Sequence, residues 1–159
     1  MIFRDDRDRR IYLRLVERVV RWKRWRCLAY CLMDNHVHLL VETPWANLGD
    51  GVQWMHGKYA RIYNDRHGDT GHLFQGRFGS TLVTSDHQLW HDAAYVVRNP
   101  VTAGLCAHAE DWPWSSYHAT IGRERRPWLD VERLLHHVSA AGGDPLRRYE
   151  ELVSGRRPA

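Results

Sequence analysis

Two apolar runs, Arg26 to Met33 and His36 to Glu42, are separated only by Asp34 and Asn35, and this constrains the fold more than any other feature of the chain. Strands joined by so short a turn pair antiparallel, because a parallel return needs a crossover of about a dozen residues. Pro44 closes the second run. Upstream, between Asp5 and Lys23, Ile11, Leu15, Val16, Val19 and Trp22 recur at helical spacing. Acids open that segment and Arg and Lys end it, as the helix dipole favours. Downstream, Leu48, Val52, Met55, Tyr59, Ile62 and Tyr63 predict a helix from about Leu48 to Arg66, before the loop His67-Gly68-Asp69-Thr70-Gly71. Gly57 weakens it mildly.

Beyond that loop, Phe78 to Thr84 is predicted as a short strand. Ser85 is set to cap a helix from Asp86 toward Asn99, stopping before Pro100. The last third contains Trp112-Pro113-Trp114-Ser115-Ser116-Tyr117, a Gly- and Arg-rich turn, and two short helices around Val131 to Val138 and Pro145 to Val153. There is no internal repeat or long linker. A chain of 159 residues with 43% hydrophobic content is long enough for one domain with its own core. No run approaches the roughly 18 to 20 apolar residues of a membrane span, and Met1-Ile2-Phe3-Arg4-Asp5-Asp6-Arg7 lacks the apolar core of a signal peptide, so a cytoplasmic location is expected.

The chemistry-bearing residues begin with His36 and His38. Residues two apart on a strand share a face, so the two imidazoles can converge on one metal ion while Val37 points away. In a chain with 11 histidines, such a pair also arises as ordinary surface or core residues. On the helix that starts at Asp86, Tyr95 and Asn99 are four apart and lie one above the other. Asn99 can offer an amide oxygen to a hard cation and Tyr95 a phenolic oxygen as nucleophile, although helical pattern alone favours Tyr95 as a core aromatic. Two imidazoles, an amide oxygen and a tyrosine form a coherent set for phosphoryl transfer.

Cys27, Cys31 and Cys106 give an odd count with no Cys-x-x-Cys pair, and Cys27 and Cys31 read as buried strand residues. A zinc site using both is disfavoured, since residues four apart on a strand lie about 13 Å apart. The net charge is +4, from 23 Lys and Arg against 19 acids, with Arg dominating beside eight Trp and seven Tyr. Arg forks phosphate and aromatic faces stack on unpaired bases, which points to single-stranded nucleic acid. A solvated basic surface over a Trp-rich core is the other reading.

Four segments, in order, carry a family resemblance. They are Tyr30-Cys31-Leu32-Met33-Asp34-Asn35-His36-Val37-His38-Leu39-Leu40-Val41, Gly71-His72-Leu73-Phe74-Gln75-Gly76-Arg77-Phe78, Tyr95-Val96-Val97-Arg98-Asn99-Pro100-Val101-Thr102-Ala103-Gly104-Leu105 and Trp112-Pro113-Trp114-Ser115-Ser116-Tyr117. Over roughly residues 3 to 135 the chain resembles the REP-associated tyrosine transposases, a branch of the HUH single-tyrosine transposases of bacterial insertion sequences. The resemblance implies an α+β, ferredoxin-like antiparallel sheet with helices packed on it and the His-hydrophobe-His strand central. It implies a transposase domain over residues 1–120 and a helical C-terminal extension of the same domain over 121–159. It maps His36, His38 and Asn99 to the metal site, with Mg2+ or Mn2+ as the ion, and Tyr95 to the nucleophile. Such enzymes cleave single-stranded DNA near the hairpin of a repetitive extragenic palindrome, hold the 5′ phosphate as phosphotyrosine, and release a 3′ hydroxyl that can rejoin strands.

The family carries a further N-terminal strand ahead of the segment that here begins Met1-Ile2-Phe3-Arg4. In a ferredoxin-like sheet that strand is interior, so its absence predicts an unpaired edge and exposed core. A start codon assigned too late and a decayed copy are the two explanations. A decayed copy would be a catalytically silent protein that only binds DNA hairpins, while a nuclease that activates water would not need Tyr95.

Weaker motifs complete the reading. Gln75 and Arg77 resemble the family's loop-strand element, where Arg77 contacts DNA phosphate or pairs with an acid. Arg123, Arg125 and Arg126 form a basic turn that can hold DNA backbone or simply be solvated. Trp112, Trp114 and Tyr117 are expected to pack a helix onto the sheet rather than stack bases. Both a monomer and a homodimer are compatible with the sequence.

Overall fold

The structure is a computed structural model that describes residues 1–139 and 143–155. Its order is α1 (Asp6–Lys23), β1 (Arg26–Leu32), β2 (Val37–Glu42), α2 (Leu48–His67), α3 (Asp86–Thr102), a 3-10 turn (Ala109–Asp111), α4 (Tyr117–Thr120), α5 (Val131–Ser139) and α6 (Pro145–Ser154). The class is α+β, as expected, with β1 and β2 forming an antiparallel hairpin. No helix among the described residues is long and apolar enough to cross a membrane.

The chain divides into two units. The first comprises residues 1–26, 34–36 and 42–81. Asp5 caps α1 by accepting from the Asp8 amide at 2.9 Å, and Arg24, in the left-handed region at φ 55°, turns the chain toward β1. The buried faces of α1 and α2 meet around an aromatic cluster in which Phe3, Tyr12 and Tyr59 pack with centroid separations of 5.0–5.6 Å. Each ring removes a large apolar area from water, which is the main drive for this packing. Buried polar groups find partners: the Tyr59 hydroxyl donates to the Ile2 carbonyl at 2.6 Å, and Tyr12 Oη lies 3.0 Å from His56 Nε2. Burial pushes the His56 imidazole below its ordinary range.

Asp8 is the one fully buried acid of this unit's core and is met by polar partners from both ends of it. It accepts from the Arg4 amide at 2.9 Å, meets His67 Nε2 at 3.0 Å, and pairs with Arg66. Arg66 also grips Asp5 and holds that carboxyl well below the usual carboxylate range. The first residues of α1 are thereby tied to the end of α2.

The second unit comprises residues 27–33, 37–41 and 82–155 of the described chain. Its core joins Leu28, Ala29, Cys31 and Met33 of the hairpin to Leu89, Ala93, Val96 and Val97 of α3, with Leu134 of α5 and Tyr149 and Val153 of α6. The two hairpin cysteines are buried and free, as expected, and burial raises both thiols to about 12.

Three sequence expectations change. Residues 75–84 form no strand, and Phe78 and Leu82 are exposed. The third helix does not stop before Pro100 but runs on to Thr102. It is β1, not the His-bearing β2, that is flanked on both edges. Leu32 N donates to the Trp114 carbonyl and Ser116 N to the Tyr30 carbonyl, each at 2.9 Å. Residues 30 and 32 face one edge of the strand, so residues 114–116 line β1 opposite β2. Among the described residues, β1 is the one strand that pairs with β2. The packing role expected for Trp112 holds, since its indole N–H donates to the Leu32 carbonyl at 3.1 Å, and Tyr117 stacks on Tyr149.

In the first unit, Gly51 faces the ring of Trp25, whose indole N–H is fixed by Asn47 Oδ1 at 2.7 Å. A Cβ at position 51 would overlap the Trp25 ring. Gly51→Ala should therefore destabilise the protein by about 1–3 kcal/mol despite its gain in helix propensity. A lower urea midpoint checks this, whereas Gly49→Ala, where a Cβ meets nothing, should leave the midpoint unchanged or raised.

Candidate active site

Helix α3 separates its residues sharply. Ala93, Ala94, Val96 and Val97 are buried in the second unit's core, while Tyr95 between them is 55% exposed. The core-aromatic reading of Tyr95 is thus excluded, and the side chain is presented on the outer face of a helix pinned along its inner one. Ser85 fixes the start of α3, its hydroxyl accepting from the Gln88 amide at 3.2 Å. The helices α5 and α6 of the C-terminal segment pack against α3.

His38, on β2, meets Tyr95 ring to ring, with centroids 5.7 Å apart and planes at 80°. This edge-to-face contact is the favoured arrangement of two aromatic quadrupoles. Residue spacing alone cannot bring residues 38 and 95 together; the family resemblance, which sets the tyrosine helix beside the His-bearing strand, agrees with this contact.

Asn99 is 9% exposed and has a local task that the sequence reading missed. Pro100 lacks the N–H that would bond the carbonyl of Val96, four residues back. Asn99 Nδ2 reaches that carbonyl at 3.4 Å and the Tyr95 carbonyl at 2.8 Å. The amide therefore bridges the break and lets α3 continue through Pro100. These bonds use the nitrogen of the side chain, so the oxygen is the atom left for accepting a donor or facing a cation.

His36 belongs to the first unit and is exposed. Strand β2 starts at Val37, so His36 closes the turn rather than opening the strand. Its Nδ1 lies 2.7 Å from Asn35 Oδ1. An amide oxygen only accepts, so Nδ1 is the donor in this contact. Asn35, read from sequence only as a turn former, also holds the His36 ring. Among the described residues, no group of three or more His, Cys, Asp and Glu side chains is arranged to hold a metal ion.

The expected DNA-contact residues fall into two groups. Gln75 and Arg77 lie on the exposed stretch after Phe74, whose ring stacks on His56 at 4.1 Å. Arg123 is paired with Glu110 at 2.8 Å and Arg126 with Glu124 at 2.6 Å. Arg125 is exposed and has no ion pair among the described residues, so the basic turn is largely neutralised in place.

The sequence pattern of the family described as "Transposase IS200 like" matches residues 1–99. The chain belongs to this transposase family. It is 27% identical over 112 residues to a protein of Haemophilus influenzae named "Putative REP-associated tyrosine transposase", the match covering 63% of each chain. It is 23% identical over 99 residues to the "REP-associated tyrosine transposase" of Escherichia coli, covering 62% of this chain and 58% of that protein. The chain thus spans about three-fifths of the length of these curated relatives. No solved structure matches.

Removing the Asn99 amide leaves the Val96 carbonyl without a donor. Asn99→Ala should cost about 1–3 kcal/mol of stability, and Asn99→Asp more, because a carboxylate would face two carbonyl oxygens. Urea unfolding of the two variants checks the order, and equal stability of Asn99→Asp and the parent would refute the bridging role.

Proposed function

We propose that the protein is a DNA transposase that cleaves and rejoins single-stranded DNA at hairpin sequences of the repetitive extragenic palindrome type, through a phosphotyrosine intermediate on Tyr95. The observation that carries this reading is the exposed Tyr95 phenol held against His38 on a rigid helix, in a chain of the IS200-like transposase family. The printed names of the two relatives supply the substrate class.

In this reading the Tyr95 oxygen attacks the scissile phosphorus. A bond forms between phosphorus and the phenolic oxygen, the bond to the 3′ oxygen breaks, and that oxygen leaves as a 3′ hydroxyl after taking up a proton. The 5′ phosphate stays on the protein, and attack by a 3′ hydroxyl reverses the step and rejoins strands. Burial of Ala93, Ala94, Val96 and Val97 fixes the phenol's origin, so little positional freedom is lost on reaching the reacting geometry. His36, His38 and Asn99 would be the donors for a divalent cation, Mn2+ suiting their nitrogen-rich set better than Mg2+. Such an ion, when bound, supplies positive charge to the phosphate oxygens. Gln75, Arg77 and Arg125 are the exposed polar groups assigned to the DNA backbone.

Incubating labelled single-stranded hairpin DNA with the protein and Mn2+ should give a covalent adduct that survives denaturing electrophoresis. Tyr95→Phe, which keeps the ring against His38, should lower adduct formation roughly a thousandfold or more. An adduct retained in that variant would refute the nucleophile. Chelation should abolish the adduct and Mn2+ should restore it in the parent. The His36→Ala, His38→Ala double variant should not recover, and recovery there would refute the metal donors.

A further inference from the structure

The first unit carries a basic, aromatic surface that none of the residues assigned above uses. Arg10, Arg14 and Arg18 occur every fourth residue along α1, and all three are exposed. Spacing of four places successive guanidinium groups on one side of the helix, about 6 Å apart along its axis. The stripe ends on Trp22, which is 56% exposed and lies edge-on to Trp54 of α2 at 5.5 Å. The Arg18 guanidinium sits over the Trp54 ring at 5.4 Å.

Several other arginines of this unit are paired with acids: Arg4 with Asp69, Arg9 with Asp34, Arg21 with Glu17, and Arg66 with Asp5 and Asp8. Arg10, Arg14 and Arg18 have no acidic partner among the described residues. Like charges at this spacing repel and weaken a helix, so the fold gains nothing from the stripe on its own account. A ligand that alternates negative charge with flat apolar faces satisfies both of its parts. We propose that the outer face of α1, formed by Arg10, Arg14, Arg18 and Trp22 with Trp54 beside them, binds the phosphate backbone and an unpaired base of single-stranded DNA. The inference rests on the reading that this chain acts on DNA, and adds a contact surface outside the unit that holds Tyr95.

Oligothymidylate, which forms no hairpin, is the direct probe, with affinity followed by fluorescence anisotropy against salt. Each phosphate contact to a single strand contributes about 0.7 to the slope of log affinity against log salt. The R10Q/R14Q/R18Q variant of the full chain should therefore lose about 2 units of slope and at least roughly tenfold in affinity at 0.1 M salt. R10K/R14K/R18K should keep the slope. Trp22→Ala should weaken binding by roughly tenfold with the slope unchanged, as expected for loss of one stacked base. Arg147→Gln, at an exposed arginine of α6, is the control and should change neither.

A hairpin-cleaving parent whose slope is unaltered by R10Q/R14Q/R18Q would overturn this surface while leaving the transposase reading intact. A parent that binds no single-stranded DNA at any salt would overturn both. Loss of binding to phosphatidylserine vesicles, with oligothymidylate binding retained, would overturn the DNA assignment in favour of an anionic membrane. An unchanged melting temperature of the three-residue variant shows that the surface, and not folding, has been altered.

Discussion

The pairing of β1 with residues 114–116 is the interaction on which the second unit depends. A two-stranded hairpin is marginal in water by itself, and its edges expose backbone groups that must find partners. The bonds from Leu32 N to the Trp114 carbonyl and from Ser116 N to the Tyr30 carbonyl cover one edge with a segment more than 80 residues later in the chain. That closure seats α4 and lets Tyr117 stack on Tyr149 of α6. The C-terminal helices are therefore structural members of the unit that presents Tyr95, and not an appendage to it.

Much of this was legible in the sequence where the information is local. The helices α1, α2, α5 and α6 follow apolar periodicity and caps, and the hairpin follows two apolar runs around Asp34-Asn35. Failures occurred where one group's partner lies far away or where a side chain replaces a backbone bond. Phe78 to Thr84 has strand composition but pairs with no strand among the described residues. Pro100 predicts a helix end, and the end is averted by the Asn99 amide reaching the Val96 carbonyl. Residues 114–116 pair with β1 although Pro113 and two tryptophans hide any alternating pattern.

The candidate site was legible as a set of residue types and illegible as an arrangement. His36 and His38 are two apart in the sequence, yet the strand begins between them and only His36 is tied to Asn35. Tyr95 and Asn99 are four apart on one helix, yet the first is exposed and the second turns its amide into the helix backbone. Spacing identifies which side chains can share a face, but burial and hydrogen bonding decide what each does there. Arg123 and Arg126 make the same point, because the carboxylates that neutralise them are themselves local and still went unread.

The alternation of burial along α3 has a consequence for how activity and stability are distributed. Ala93, Ala94, Val96 and Val97 hold the helix, and Tyr95 contributes an exposed ring with one aromatic neighbour. Loss of its hydroxyl removes no core contact, so chemistry and folding can be altered independently at adjacent positions. Under the proposed function, a chain built this way would lose its nucleophile by a single-atom change and keep its fold, competing for the sites that an active copy would cut.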